Sequence, residues 1–219
     1  MSTRPKEEKQ AYDDPASRIY YDWTTQRASY IESNVRNRDI SSAWQRFSAD
    51  WGNEKKLRQL KGVGLAAPQV GYNKRIITIY IPKDAALLRD NVKQYPLHVM
   101  INPNYEITAD TSKVDDFEAC YSVTSKAGKV PRYKVIKLSY QNEHGQLSTS
   151  IESGFYARVL QHEIDHLNGI LIIDRLTPDC LQGSVEDMMA IRRSELSADK
   201  KAHFDKLMKE KGLGPVDGP

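Results

Sequence analysis

The chain has little of what would place it outside an ordinary water-soluble compartment. It carries two cysteines, Cys120 and Cys180, in 219 residues. That is too few for a disulfide scaffold, and a reducing cytoplasm would keep both as thiols. No apolar run approaches the roughly eighteen residues that a membrane-spanning helix needs. The opening "MSTRPKEEKQ" lacks the apolar centre of a signal peptide. Charge of one sign is also scarce: 32 basic against 29 acidic residues leave +3, too weak to imply direct nucleic-acid readout. There are no internal repeats and no low-complexity tract. The expectation is a cytoplasmic protein with no membrane partner.

The pattern of the chain indicates an α+β fold. Residues 1–40 are polar with interspersed aromatics and are expected to form an N-terminal arm. Residues 41–180 read as the folded body, and 181–219 as a C-terminal helix with a fraying tail. Within the body, Ser41 to Lys61 favours a helix, with Trp44, Phe47, Trp51, Leu57 and Leu60 as inward residues. "RIITIYIP" and "HVMINPNYEIT" read as strands, the second interrupted at Asn102-Pro103. "YKVIKLSYQNEHGQLSTSIES" reads as a hairpin turning at Asn142 to Gly145. Phe155, Val159, His162 and His166 then fall at helical steps of four, three and four, and Gly169 stops that helix. "ILIIDRL" is expected as a short strand and Val185 to Lys211 as one terminal helix.

The helix contains "QHEIDH", Gln161 to His166. Histidines at i and i+4 share a helix face and can aim at one ion, while Glu163 reaches over that ion as a proton acceptor. A catalytic site needs a third ligand. In a metzincin pattern Gly169 fits, but the ligand position is Ile172, which cannot bind metal. Glu186 would serve in a thermolysin-like arrangement. Cys120 offers a thiolate, although a buried cysteine is more often a small apolar residue. Spacing alone leaves Glu186 and Cys120 both open.

"GVGLAAPQ" (Gly62 to Gln69), "EACYS" (Glu118 to Ser122) and "QHEIDH" resemble, in order, the three motifs of the peptide deformylases. "INP" at Ile101 to Pro103 and "VPR" at Val130 to Arg132 are also similar to that family. The resemblance covers about residues 57 to 178. It implies a deformylase-like fold, antiparallel sheets packed around the metal-binding helix with a helix at the C-terminus. It further implies an enzyme that hydrolyses the N-formyl group from the initiator methionine of nascent polypeptides and releases formate. It assigns Cys120, His162 and His166 as ligands of one divalent metal, usually Fe2+ with Zn2+ or Ni2+ as alternatives, and leaves a fourth position for water. Glu163 becomes the proton carrier, and Gln69 with the Tyr121 N–H the donors to the developing oxyanion. Gly64 and Leu65 make main-chain contacts to the peptide. Val63, Ala119, Phe155, Arg158 and Val159 complete the substrate site.

Four features depart from the family pattern. Ala119 replaces a glycine, and alanine would be strained if that position had positive φ. Tyr121 replaces a non-aromatic residue. Thr124 to Lys129 lacks an arginine many relatives carry. Arg158 occupies a position that usually lines the methionine pocket and is apolar; the expectation is that its guanidinium snorkels outward. Ala119, Tyr121 and Arg158 motivate an alternative, a deformylase-fold amide hydrolase with shifted substrate preference. A thermolysin-like peptidase using Glu186 and a metal-stabilised binding protein are further alternatives; the last would need neither Glu163 nor Gln69. Arg132 and Asp165 read as a charge pair that orients the site. The lysines of the terminal helix (Lys200, Lys201, Lys206, Lys209, Lys211) suggest a ribosomal docking face.

Overall fold

The computed structural model describes residues 35–50, 57, 62–83, 85, 88–89 and 93–210. Most of the expected N-terminal arm, Trp51, Leu60, Lys211 and the expected frayed tail lie outside these residues. Among the described residues, a 3-10 turn (Asn37–Asp39) leads into the first α-helix, α1 (Ile40–Asp50). Seven strands follow: β1 (Gly64–Ala66), β2 (Ile76–Ile81), β3 (Tyr95–Ile107), β4 (Lys113–Cys120), β5 (Val123–Tyr133), β6 (Val135–Gln141) and β7 (Leu147–Ser153). Next come α2 (Gly154–Leu167), the single turn α3 (Ile172–Arg175), β8 (Gln182–Gly183), α4 (Val185–Glu195) and α5 (Ala198–Glu210). The strands form two antiparallel sheets, β1-β2-β3-β6-β7 and β4-β5-β8. Helix α2 packs against both.

β2 is apolar or β-branched throughout because both its faces are covered. Ile77, Ile79 and Ile81 share a core with Ala157, Leu160, Ile164 and Leu167 of α2. Ile76 and Tyr80 point the other way, into a core with Ile40, Phe47 and Leu57. Period-two alternation on a strand thus divides one apolar run between two cores. The end of α2 is fixed by Gly169 at φ 70 and by Arg75, which donates to Leu167 O at 3.1 Å and to Asn168 Oδ1 at 2.9 Å. Both satisfy the polar groups that a helix leaves open at its C-terminus.

The expected interruption at Asn102-Pro103 is a bulge inside one continuous strand. Pairing with β6 shifts between Ile101 and Asn104, and Asn102 takes φ 52. Proline has no N–H for the ladder, and asparagine tolerates the left-handed region. The Asn102 amide bridges outward to Val35 O and Gln141 Oε1, both at 2.8 Å. The β6–β7 hairpin forms as expected. Asn142 Oδ1 accepts from the His144 and Gln146 N–H groups, and Gly145 supplies φ 79.

Two expectations are corrected. "ILIIDRL" is not a strand; its centre is α3. Asp174 Oδ2 accepts from Leu171 N at 2.8 Å and closes the turn, while Arg175 reaches back to Asp165. Local side-chain bonds override β-propensity here. The terminal helix is two helices. Leu196 is extended, φ −79 and ψ 149, and the chain turns so that Arg193 pairs with Asp205 at 2.7 Å. Met188 and Phe204 are their buried residues. Among the described residues, no helix is long and apolar enough to cross a membrane.

Candidate metal centre

Strand β4 delivers Cys120 and helix α2 delivers two histidines. Cys120 Sγ lies 3.2 Å from His166 Nε2, and His166 Nε2 lies 3.2 Å from His162 Nε2. The three ligand atoms all fall within 4.8 Å of one another. Glu118 Oε2 sits 2.9 Å from His162 Nδ1. That contact places the proton on Nδ1 and leaves the Nε2 lone pair facing the triangle, as a metal ligand requires. Burial pushes the Cys120 thiol up, but the adjacent His166 and His162 outweigh it and hold the thiol well below its usual range. A thiolate with two imidazoles is a fitting donor set for one divalent transition metal with an open position.

Glu163 is buried beside this triangle. A Cβ built on Gly64 would overlap its Oε1 and lie 2.8 Å from its Cδ. The glycine is therefore the space the carboxylate occupies. Glu163 Oε2 has no hydrogen-bond partner among the described residues, and burial pushes its carboxyl upward. Gln69 is held by its oxygen: Oε1 accepts from the Ala66 N–H at 2.8 Å. Its NH2 is thereby turned toward Ser122 Oγ, 3.2 Å away, and Cys120 Sγ, 4.0 Å away. The Tyr121 ring lies against Gly62, where a Cβ would come within 2.8 Å of Cε2. Ala119 is exposed. Among the described residues, Asn102 is the one non-glycine residue with positive φ, so alanine at 119 is unstrained.

Behind the triangle is a buried charge cluster. Glu118 accepts from Arg132 Nε and Nη2, both at 2.9 Å, and from Arg158 Nη1 at 2.8 Å. Asp165 accepts from Arg132 Nη1 and from Arg175 at 3.0 and 2.5 Å. Burial alone would raise the Glu118 carboxyl; His162 and Arg132 reverse that and hold it far below the usual range. Arg132 and Asp165 are thus joined as expected, within a larger group. Arg158 does not snorkel. It is 5% exposed and also bonds Val130 O at 2.6 Å, Asp116 O at 3.4 Å and Val114 O. Its side chain lies between α2 and the β4–β5 pair, where strand carbonyls are within reach and water is not.

Val159 is in the core shared with β2, and Val63 and Phe155 pack against that core. Leu65 is buried in the opposite core, so only its main chain faces the site. Arg89, which the sequence reading missed, lies over the Phe155 ring at 4.5 Å and pairs with Asp116. Glu186 is exposed on α4 and is not part of the metal-competent group. Glu118 and Ser122 were quoted in a motif but given no role. Glu118 had a signal: it stands two residues before Cys120 on a strand, hence on the same face. Arg89 and Arg175 had none, because neither stands at a helical or strand spacing from its partner, Asp116 or Asp165.

Comparison with known proteins agrees with this geometry. Residues 26–182 match the polypeptide deformylase family. Peptide deformylase 2 of Rickettsia conorii is 36% identical over 150 residues, 67% of this chain and 73% of that protein. A class I type b peptide deformylase from Acinetobacter baumannii, solved with Met-Ala-Ser bound, superposes with TM-score 0.59 at 30% identity, covering 69% of this chain and 92% of the other. A peptide deformylase from Synechococcus elongatus, in complex with actinonin, gives TM-score 0.55 at 27% identity over 87% of this chain and 85% of its own. Sequence, fold and site geometry converge: the chain belongs to the polypeptide deformylase family.

Proposed function

We propose that this protein hydrolyses the N-formyl group from the initiator methionine of nascent polypeptides, releasing formate. The observation that carries the reading is the pairing of the Cys120–His162–His166 triangle with a buried, unpartnered Glu163 oxygen beside it. The Acinetobacter relative's bound Met-Ala-Ser is a peptide that begins with methionine. β1 is the end strand of its sheet, so its outer edge suits an extended peptide added as a further strand, with Gly64 and Leu65 supplying main-chain groups.

A formamide is a weak electrophile and water a weak nucleophile. A divalent cation held by Cys120, His162 and His166, Fe2+ by family resemblance, would lower the pKa of a water and polarise the formyl carbonyl. Glu163 takes the proton from the attacking water. Gln69, locked by the Ala66 N–H, donates its amide to the oxygen on which charge develops, joined by the Tyr121 N–H. Glu163 then hands its proton to the leaving amine, which departs as a free N-terminus. Burial suits Glu163 to holding a proton between the two steps. Val63, Phe155 and Val159 form the apolar wall for the first side chain, with Ala119 at the rim. The reaction takes place in the cytoplasm, where Cys120 stays reduced.

The Arg89–Asp116 pair over Phe155 favours a second reading, the same chemistry with altered preference for the first residue. Formate release from formyl-Met against formyl-Glu and formyl-Asp peptides, with anaerobically prepared iron-loaded protein, tests both. The expected result is higher kcat/KM for formyl-Met. A preference for the acidic peptides would replace it with the shifted-substrate reading.

A further inference from the structure

The Glu118 carboxylate has four donors, two on each oxygen. Oε1 accepts from Arg132 Nε and Arg158 Nη1, Oε2 from Arg132 Nη2 and His162 Nδ1. Arg132 comes from β5, whereas Arg158 and His162 both come from α2, one turn apart. Arg158 is thus on the same helix as the histidine that Glu118 orients, and it holds the opposite oxygen of the same carboxylate. The same Nη1 also reaches the carbonyls of Asp116 on β4 and Val130 on β5, and Nη2 donates to Val114 O on β4. All of these partners are protein groups.

We propose that Arg158 is a positioning residue for the metal centre: it fixes the rotation of the Glu118 carboxylate, and through Glu118 the ring plane of His162, instead of lining the pocket for the first substrate side chain. With two donors from Arg132 alone, the carboxylate is pinned in its plane by one fork. His162 ties one oxygen to α2, and Arg158 ties the other to the same helix, so the carboxylate cannot rotate against the histidine that it orients. Groups that orient a metal-bound histidine commonly change metal affinity by about 10- to 100-fold when removed. Arg158 acts one bond further out, so the lower end of that range applies. The proposal rests on the metal-hydrolase reading of the site but not on the substrate.

The test measures loss of Co2+ from the loaded full-length protein to excess chelator, followed by the cobalt–thiolate absorption, together with thermal midpoints. No formylated peptide is needed, so failure of the deformylase reading would leave this result interpretable. Arg158→Met should release cobalt about tenfold faster. Arg158→Lys keeps one donor for Glu118 and loses the carbonyl bonds; it should lower the thermal midpoint while retaining cobalt nearly as wild type does. In a Glu118→Gln background, Arg158→Met should add little to the rate. If Arg158→Met does not fold, Arg158→Gln takes its place with the same expectation. Cobalt loss that merely follows the thermal midpoint across these variants would overturn the proposal and leave a structural cross-link. Unchanged cobalt loss in every Arg158 variant, with KM for formyl-Met peptides altered, would return Arg158 to the pocket wall.

Discussion

The two sides of α2 solve opposite problems. Toward the five-stranded sheet, Ala157, Leu160, Ile164 and Leu167 meet Ile77, Ile79, Ile81 and Met100 in a wholly apolar layer. Toward the three-stranded sheet, Arg158, His162, Asp165 and His166 meet Glu118, Cys120 and Arg132. The first side stabilises by area removed from water, which is non-directional and tolerates exchange between side chains of similar volume. The second gains little net energy from its charges, since desolvation offsets attraction. What it gains is direction: each group has a fixed partner, and the final partners are metal ligands. A helix buried on all sides can therefore carry a reactive site only because its polar stripe is matched group by group on the facing strands.

The largest effect that would sharpen this contrast is loss of the centre itself. Cys120→Ala should purify without tightly bound metal, while Glu186→Ala keeps a full complement; elemental analysis decides between them. Equal metal content in Cys120→Ala and wild type would remove the ligand set. Next in size is the cost of breaking the polar side. Asp165→Asn leaves Arg132 and Arg175 short of a negative partner in a buried place, and urea unfolding should show a loss of about 3–5 kcal/mol. On the apolar side, Leu160→Met should cost less than about 1.5 kcal/mol. If the two substitutions cost the same, the two sides do not differ as described. The smallest effect concerns the periphery. Truncation at Ser197, which removes α5, should weaken salt-sensitive cosedimentation with ribosomes while leaving the metal in place; unchanged cosedimentation would dismiss the docking face.

Much of this was legible before the structure because it is local. The steps from Phe155 to His166 name a helix, and alternation names the β6–β7 hairpin. The three motifs, taken with the family resemblance, drew Cys120 and Gln69 to the helix that carries Glu163, and in the fold Cys120 lies beside its histidines with Gln69 next to it. What was not legible depends on side-chain partners that no spacing pattern announces. Asp174 capping Leu171 turned an expected strand into a helical turn. Leu196 broke an expected single helix, because Arg193 had Asp205 to fold back upon. Arg158 was expected to snorkel outward because burying an unpaired guanidinium is costly; nothing near it in sequence announces Glu118 and three strand carbonyls.

The most direct test of the account is formate release from formyl-Met-Ala-Ser by iron-loaded wild type and Glu163→Ala, with metal content measured on the same samples. Glu163 lies against Gly64 and is not one of the three metal-competent residues, so its loss removes the proton carrier and leaves the ligands intact. Wild type should release formate, and Glu163→Ala should keep its metal and lose about 10²- to 10⁴-fold in turnover. A Glu163→Ala protein that retains its metal and releases formate at the wild-type rate would contradict the assignment of the site.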